Sequence, residues 1–497
     1  MTAAVPPGRR SLRSRVLRGA GWMMASRGVD QLFGFITSIV IARFLSPREL
    51  GLATEAVVFV SLIVVIGEFG FAPVIVQRER LREQETATAF WASLALGTAL
   101  TLIGVALSWP IATLYGEPRL QPLFAVMSFT FLFTTAGLVQ AGLLMREMDF
   151  RALEVRTMIA VICACAVGIT LAALGFGPWA IVVQTLTISA VSTALVWRSS
   201  PWRPTMTFSV AILKEMWSFA SHVTGSRILN WAQLNVDNFL VGRFLGAATL
   251  GVYSLAFAIG FAPVNRLSEP LGQVLFPAFS RIRDREQIAA IWLRAGRMLA
   301  LIAVPAMLGL IVIAHDFVQV VFGQKWMGAV VVLQLLAPIS LFQTLTGFNA
   351  SVLQSINRTQ LLLRLTAVTT VLSMAAFAAG LPWGIRGVAV AYLIATAVLQ
   401  SGYLWLTARA ISMPLRQWLR SVSGVLQAGL LMLVVLAAAR QALLSLAVPG
   451  AGRLVVLILL GVLSYAAGVR WRAPEAISEL GALRRRRGEL VADPATN

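Results

Sequence analysis

Long, uninterrupted apolar runs alternate along this chain with short segments that carry most of its arginines. Of its 497 residues, 58% are hydrophobic and 12% are charged, and the mean hydropathy is +0.80. A soluble domain has about 25% charged residues, so this chain lacks the polar surface needed to fold in water. A spanning helix needs about 20 apolar residues, and runs in a barrel would alternate with polar positions. The sequence therefore predicts an all-α, polytopic membrane protein.

The apolar runs predict about fourteen transmembrane helices. They are expected at residues 20–42, 51–76, 87–112, 120–144, 155–174, 177–197, 213–240, 248–272, 291–314, 327–353, 361–380, 384–407, 421–440 and 453–470. Segments 20–42, 213–240 and 248–272 are the least hydrophobic of these.

The basic residues between the helices predict the orientation of the chain. With the N-terminus in the cytoplasm, 30 of the 41 Lys and Arg residues fall on the cytoplasmic side and 8 on the far side. Cytoplasmic segments of membrane proteins are enriched in Lys and Arg. We therefore expect a multi-pass protein of the bacterial inner membrane with both termini in the cytoplasm.

An internal repeat is visible at an offset of 200 residues. The pattern RFL-x4-LG at 43–51 recurs at 243–251, and Ser-Arg at 26–27 recurs at 226–227. Seven matches in a 26-residue window at one offset indicate a duplication. Because each half holds an even number of helices, the repeat predicts two six-helix lobes related by an axis along the membrane normal. Two lobes around a cavity are typical of alternating-access transporters.

The repeat gives a predicted domain organisation. It comprises a basic N-terminus at 1–19, an N-lobe of helices 1–6 at 20–205, a C-lobe of helices 7–12 at 206–410, two further helices at 411–470, and a basic cytoplasmic tail at 471–497.

Charged side chains inside the predicted helices are the candidate functional residues, because each costs about 2.5 kcal/mol or more to place in the membrane. Arg27, Arg227 and Arg266 could offer guanidinium donors to a diphosphate. Asn235 and Asn238 could bind sugar hydroxyls. The acidic candidates, with a coupling or structural role, are Asp30, Glu55, Glu68, Asp237 and Glu269. The structural alternative is that the arginines pair with acids three residues away, as Arg27 with Asp30 and Arg266 with Glu269.

The sequence favours no enzymatic site. A nucleotide-binding P-loop needs Gly-Lys, whereas Lys214 and Lys325 follow Leu and Gln. Basic residues are dispersed between apolar segments, which argues against nucleic-acid binding. The possible soft metal ligands are too few and too scattered for a metal site, so no metal or cofactor is expected. They are Cys163, Cys165, His222 and His315.

Several motifs resemble those of the polysaccharide transport family of the multidrug/oligosaccharidyl-lipid/polysaccharide exporter superfamily. In the second lobe these are VGRFLG at 241–246 with LGVYSLA at 250–256, preceded by NVDN at 235–238. In the first lobe they are ARFLSP at 42–47, YGEPRL at 115–120 and VQR at 76–78. The likeness extends over about residues 20–410 and is closest to the colanic-acid-exporter-like branch.

The resemblance implies a flippase that moves an undecaprenyl-diphosphate-linked oligosaccharide repeat unit from the cytoplasmic to the periplasmic leaflet. The product would serve exopolysaccharide or lipopolysaccharide synthesis. The implied partners are the lipid-linked glycan and the bilayer, with a polysaccharide polymerase and assembly proteins as further candidates. Two alternatives stay open: a multidrug or cation antiporter of the same superfamily, and a membrane scaffold that transports nothing.

Overall fold

The computed structural model describes residues 8–67, 75, 81–282, 284–476 and 478–479. Side chains are described over the same ranges except at residues 8–21, 23–25, 67, 217–230, 233, 262–271, 273–274 and 278. In these ranges the regular structure is helical throughout, as the sequence predicts.

Each helix predicted from the sequence overlaps one in the structure. The helices of the first half are α1 (Gly8–Phe44), α2 (Pro47–Gly67), α3 (Glu83–Tyr115), α4 (Leu120–Met127), α5 (Phe129–Arg146), α6 (Phe150–Ala173), α7 (Trp179–Ser199) and α8 (Val210–Leu245). Those of the second half are α9 (Ala247–Ser280), α10 (Arg285–Phe317), α11 (Ala329–Thr346), α12 (Asn349–Ser355), α13 (Thr359–Gly380), α14 (Gly384–Ala410), α15 (Leu415–Ser445) and α16 (Gly450–Arg472). A π-helical turn, Val318–Phe322, extends α10.

Ten helical segments of the described chain are long and apolar enough to cross a membrane. They are Pro47–Ile66, Glu83–Tyr115, Leu120–Arg146, Phe150–Ala173, Trp179–Ser199, Arg285–Phe322, Ala329–Ser355, Thr359–Ala410, Leu415–Ser445 and Gly450–Arg472. The three least hydrophobic predicted helices, in α1, α8 and α9, are absent from this set. The total of fourteen spanning helices therefore remains a prediction.

The chain forms two compact units, Met1–Gly251 and Val252–Asn497. The predicted lobes at 20–205 and 206–410 remain a prediction. In the first unit, apolar side chains of α2, α3, α4 and α5 form one core around the fully buried Phe124 and Phe131. This core packs helices against one another on the faces that lipid does not reach, and so fixes where α2 and α3 present their polar residues.

The second unit has its core where α10, α12 and α15 meet. Trp292 is completely buried, and its indole N–H donates to Asn349 Oδ1 at 2.9 Å. The ring of Trp418 lies 6.3 Å from that of Trp292. Because a buried indole N–H needs an acceptor, the Trp292–Asn349 hydrogen bond ties α12 to α10 in one orientation.

The two copies of RFL-x4-LG meet backbone to backbone within the first unit. A Cβ atom on Gly51 would overlap the carbonyl oxygen of Ala247, and one on Gly251 would overlap the carbonyl oxygen of Pro47. Pro47 and Ala247 are equivalent at the 200-residue offset, as are Gly51 and Gly251. The contact is therefore reciprocal, as a pseudo-two-fold relation between the two turns requires. Only glycine allows helix starts to approach this closely.

We expect Gly51→Ala and Gly251→Ala to destabilise the protein, by about 1–3 kcal/mol each, because the added methyl group displaces backbone atoms. Gly28→Ala and Gly402→Ala are matched controls, since a Cβ at either position meets nothing within 4 Å. These two control substitutions should stabilise the protein, because Ala is more favourable than Gly in a helix by up to about 1 kcal/mol. Thermal unfolding of the purified protein in detergent measures both. Equal effects at all four positions would contradict the close contact.

Candidate functional site

Glu55 is the buried carboxylate around which the candidate site is built. It lies just over two turns into α2, whose start is fixed by a capping box. The backbone N–H of Ser46 donates to Glu49 Oε2 at 2.7 Å, and the N–H of Glu49 donates to Ser46 Oγ at 3.3 Å. Pro47 occupies the first helical position, where its missing N–H does no harm. These local signals set the depth at which Glu55 enters the helix bundle.

The Glu55 side chain is 1% exposed, and across the described residues neither of its oxygens has a hydrogen-bond partner. Tyr115, at the end of α3, is 9% exposed, and its hydroxyl group also lacks a partner among the described residues. Gly242 on α8 faces both side chains. A Cβ atom there would lie 3.3 Å from Glu55 Oε1 and 2.9 Å from Tyr115 Cε1. The absence of a side chain at Gly242 leaves the room that these two groups occupy.

Aromatic rings pack around Tyr115 beside the site. Phe59, Tyr115 and Phe239 form a triangle with ring centroids 5.8, 6.0 and 6.1 Å apart, all packed edge to face. Phe124 extends it, with its ring 6.1 Å from that of Phe59. Edge-to-face packing is a favourable geometry for aromatic pairs. The rings of Phe59 and Phe239 give the Tyr115 side chain apolar neighbours, and a charge next to apolar groups is expensive.

The polar residues predicted on helix 7 lie on α8, which runs antiparallel to α2. Trp231 Nε1 donates to Ser61 Oγ at 2.8 Å, which fixes the register of the two helices. Asn235 Nδ2 donates to the carbonyl of Trp231 at 3.0 Å, so this amide is partly used within its own helix. Asn238 Oδ1 is buried without a hydrogen-bond partner in the described structure, and Asp237 is 4% exposed. The structure thus gathers Asn238 and Asp237 on the helix that faces Glu55.

An ionised carboxylate at Glu55 would cost several kcal/mol without a cation beside it. The nearby cation on its own helix, Arg48, is already paired, with Nη2 2.8 Å from Glu117 Oε1. A neutral carboxylic acid, or a carboxylate that has bound a cation, is compatible with this environment. The protonation state of such an acid is sensitive to changes in its surroundings.

The other predicted site residues are distributed as follows. Arg27 and Asp30 are both exposed on α1, and no ion pair joins them in the described structure. The side chains of Arg227, Arg266 and Glu269 lie outside the described residues, as does the whole of Glu68.

A second polar cluster was not predicted from the sequence. Asp316 is fully buried, and Arg453 donates to its Oδ1 through Nε at 2.7 Å and also through Nη2. Arg440 Nε donates to Oδ2 at 3.1 Å. The predicted ninth helix ended at residue 314, and Arg440 and Arg453 stood at the ends of the predicted helices 421–440 and 453–470. In the structure all three residues lie within α10, α15 and α16, and the ion cluster ties the last two helices to α10.

No group of three His, Cys, Asp or Glu side chains that could hold a metal ion occurs in the described part of the chain. Cys163 and Cys165 are both free thiols.

The sequence matches the family described as "Polysaccharide biosynthesis protein" over residues 40–331. The chain belongs to this family. The resemblance to the polysaccharide transport family read from its motifs is thereby confirmed.

Curated relatives extend over most of the chain. The chain is 28% identical to the lipopolysaccharide biosynthesis protein WzxC of Escherichia coli K12, over 74% of this chain and 76% of WzxC. It is 29% identical to the succinoglycan biosynthesis transport protein ExoT of Rhizobium meliloti, over 84% of this chain and 85% of ExoT. Such relatives place the chain among multi-pass inner-membrane proteins of polysaccharide biosynthesis.

Solved structures show the same fold. The lipid II flippase MurJ, in an inward closed conformation, aligns with a TM-score of 0.75 at 16% identity over 93% of this chain and all of MurJ. An inward-facing multidrug resistance transporter of the same exporter superfamily aligns with a TM-score of 0.60 at 19% identity, over 77% of this chain and 94% of the transporter. At these identities the likeness concerns the fold alone.

We expect Glu55→Gln to leave the stability within about 1 kcal/mol of the parent, because the amide has the size of a neutral carboxylic acid. Glu55→Ala should cost about 2 kcal/mol or more, since it leaves a cavity in a packed site. Glu117→Gln is the control for loss of a carboxylate charge, and its partly exposed pair with Arg48 should contribute about 1 kcal/mol at most. Thermal unfolding in detergent measures all three. If Glu55→Gln were as damaging as Glu55→Ala, the carboxylate would have to be charged and held by a partner.

Proposed function

We propose that this protein is a flippase that moves an undecaprenyl-diphosphate-linked oligosaccharide repeat unit from the cytoplasmic to the periplasmic leaflet by alternating access. The observation that carries the proposal is family membership combined with similarity to ExoT, a polysaccharide transport protein, over 84% of the chain. The fold shared with the lipid II flippase MurJ supports it. A polysaccharide polymerase and assembly proteins would receive the product.

The phosphate-binding part of the proposal rests on Arg27. Its guanidinium is exposed and has no hydrogen-bond or ion-pair partner among the described residues, so its five donors are available to an anion. A diphosphate is the strong anion that the proposed substrate brings, and a planar guanidinium can bind it through two parallel hydrogen bonds. Arg227, its equivalent in the repeat, and Arg266 are proposed to share this role. Asn235 and Asn238 are proposed as contacts for the sugar.

Glu55 is proposed as the acid that couples transport to proton or cation movement. Among the acidic candidates whose side chains the structure describes, it is the one that is buried with neither oxygen hydrogen-bonded. Exchange of its proton would follow from any movement of α8 that opened the site to water, because an exposed carboxylate is readily ionised. Asp30, Glu68, Asp237 and Glu269 stay candidates for the same role or for a structural one.

A cation or drug antiporter of the same superfamily is the second candidate, and a buried carboxylate such as Glu55 is the observation in its favour. Family membership argues for the glycan flippase instead. A scaffold that transports nothing is the third possibility. If the protein were such a scaffold, substitutions in the proposed site that leave its level in the membrane unchanged would not affect glycan export.

Both termini are proposed to face the cytoplasm. Two exposed residues allow a matched test: Met206, 88% exposed and expected inside, and Leu174, 67% exposed and expected outside. In a variant without Cys163 and Cys165, a membrane-impermeant thiol reagent should label Leu174→Cys but not Met206→Cys in intact spheroplasts. Permeabilisation should make both reactive. The reverse pattern would show that the protein has the opposite orientation in the membrane. Equal labelling in intact spheroplasts would contradict the proposed membrane boundaries.

We expect Arg27→Ala and Arg227→Ala to reduce glycan export by about tenfold or more, since each removes charge-assisted hydrogen bonds to the diphosphate. Arg27→Lys should be impaired less, because it keeps the charge and loses only the planar fork. Arg119→Ala, at an exposed arginine outside the proposed site, is the control. The measurement is exported polysaccharide in a strain deleted for this gene, with each variant quantified in the membrane. Export at the parental rate by Arg27→Ala and Arg227→Ala would refute the phosphate role.

A further inference from the structure

The second unit contains a polar pocket at one end of the three helices α10, α15 and α16. Its volume is about 290 Å³. Its polar lining includes the three arginines Arg297, Arg420 and Arg472, the carboxylate of Glu475, and the amide of Gln427. Arg472 is the last residue of α16, and Arg420 lies in the second turn of α15, so the pocket opens where these two helices leave the membrane.

Two of the three arginines have no counter-charge. In the described structure, no carboxylate forms an ion pair with Arg420 or Arg472. The guanidinium of Arg472 lies over the ring of Trp471, 4.2 Å from its centroid, which orients the cation without neutralising it. The lining therefore holds three arginines and one carboxylate, that of Glu475, and it carries a net positive charge.

The third arginine is partly neutralised and has a donor to spare. Arg297 Nη1 lies 2.9 Å from Glu475 Oε2 and 3.3 Å from Glu479 Oε1, and its side chain is 14% exposed. Its Nε is buried, and no acceptor for it exists among the described residues. A buried N–H group without an acceptor is costly, so this atom indicates a place for an oxygen ligand.

The depth of the pocket points to the kind of ligand. Trp471 is 68% exposed at the end of α16, and exposed tryptophans at helix ends are typical of the membrane–water interface. Phospholipid headgroups occupy that depth. Basic pockets between transmembrane helices are established binding sites for anionic headgroups.

We propose that this pocket binds the phosphate-containing headgroup of an anionic membrane phospholipid. Arg420 and Arg472 supply the positive charge, and Arg297 Nε and Gln427 supply further donors. The site is built by the two C-terminal helices together with α10, and its existence does not depend on which molecule the protein transports. It gives those two helices a role in holding the second unit at the membrane surface.

The test is thermal unfolding of the purified full-length protein in detergent, titrated with phosphatidylglycerol. Phosphatidylglycerol should raise the unfolding temperature, whereas phosphatidylcholine with the same chains and inorganic phosphate at the same concentration should not. The double variant Arg420→Gln/Arg472→Gln should need much more phosphatidylglycerol for the same effect, about fivefold for each arginine removed. The control Arg358→Gln/Arg364→Gln removes two exposed arginines away from the pocket and should respond like the parent.

Several outcomes would overturn the proposal. An equal response to phosphatidylcholine would mean that lipid chains, and no headgroup site, stabilise the protein. An equal response to inorganic phosphate would assign the pocket to a soluble anion. An unchanged response in the pocket variant, or an equal loss in the control, would show that the effect is non-specific attraction.

If the double variant does not fold, Arg420→Lys/Arg472→Lys should keep most of the response. Native mass spectrometry of the parent should then show phosphatidylglycerol retained in preference to phosphatidylcholine, and no preference would refute the site.

Discussion

The register between α2 and α8 depends on the backbone contact between the two RFL-x4-LG turns. Gly51 lies against the carbonyl group of Ala247, and Gly251 lies against that of Pro47. From this contact the two antiparallel helices extend so that Glu55 faces Gly242. The same register brings the aromatic rings of the two helices together further along. A side chain on either glycine would separate the helices and open the site where the acid of Glu55, the phenol of Tyr115 and Gly242 meet.

The structure handles buried acids in two contrasting ways. Asp316 is surrounded by the guanidinium groups of Arg440 and Arg453, so its charge is compensated and its oxygens are used. Glu55 has no such partner in the described structure. A compensated acid has little reason to change its protonation state, whereas an isolated one is sensitive to small changes in its surroundings. This contrast is the physical basis for proposing a structural role for Asp316 and a transport role for Glu55.

The fold class and the positions of the helices could be predicted from the sequence. In lipid, a helix is the simplest structure in which every backbone N–H and C=O group is hydrogen-bonded. The predicted ninth helix stopped at residue 314, two residues short of Asp316, whereas α10 continues to Phe317 and buries this acid. Its partners are 124 and 137 residues away, and no local pattern links them. Glu55 could be selected as a candidate because of its charge, but its isolation depends on Tyr115 and Gly242, which only the folded structure brings beside it. The motif that contains Tyr115 was visible in the sequence, whereas its contact with an acid on another helix was not.

The ion cluster around Asp316 has a consequence for the order in which the protein is made. Ribosomes add about 5–20 residues per second, so the 124 residues that separate Asp316 from Arg440 take about 6–25 s to synthesise. During that interval α10 has already left the ribosome with a carboxylate that will be fully buried and has neither of its cations. Insertion of α10 must therefore wait for its partners, be held at the edge of the insertion machinery, or proceed with Asp316 protonated. The second unit is therefore complete only after the final two helices have been synthesised.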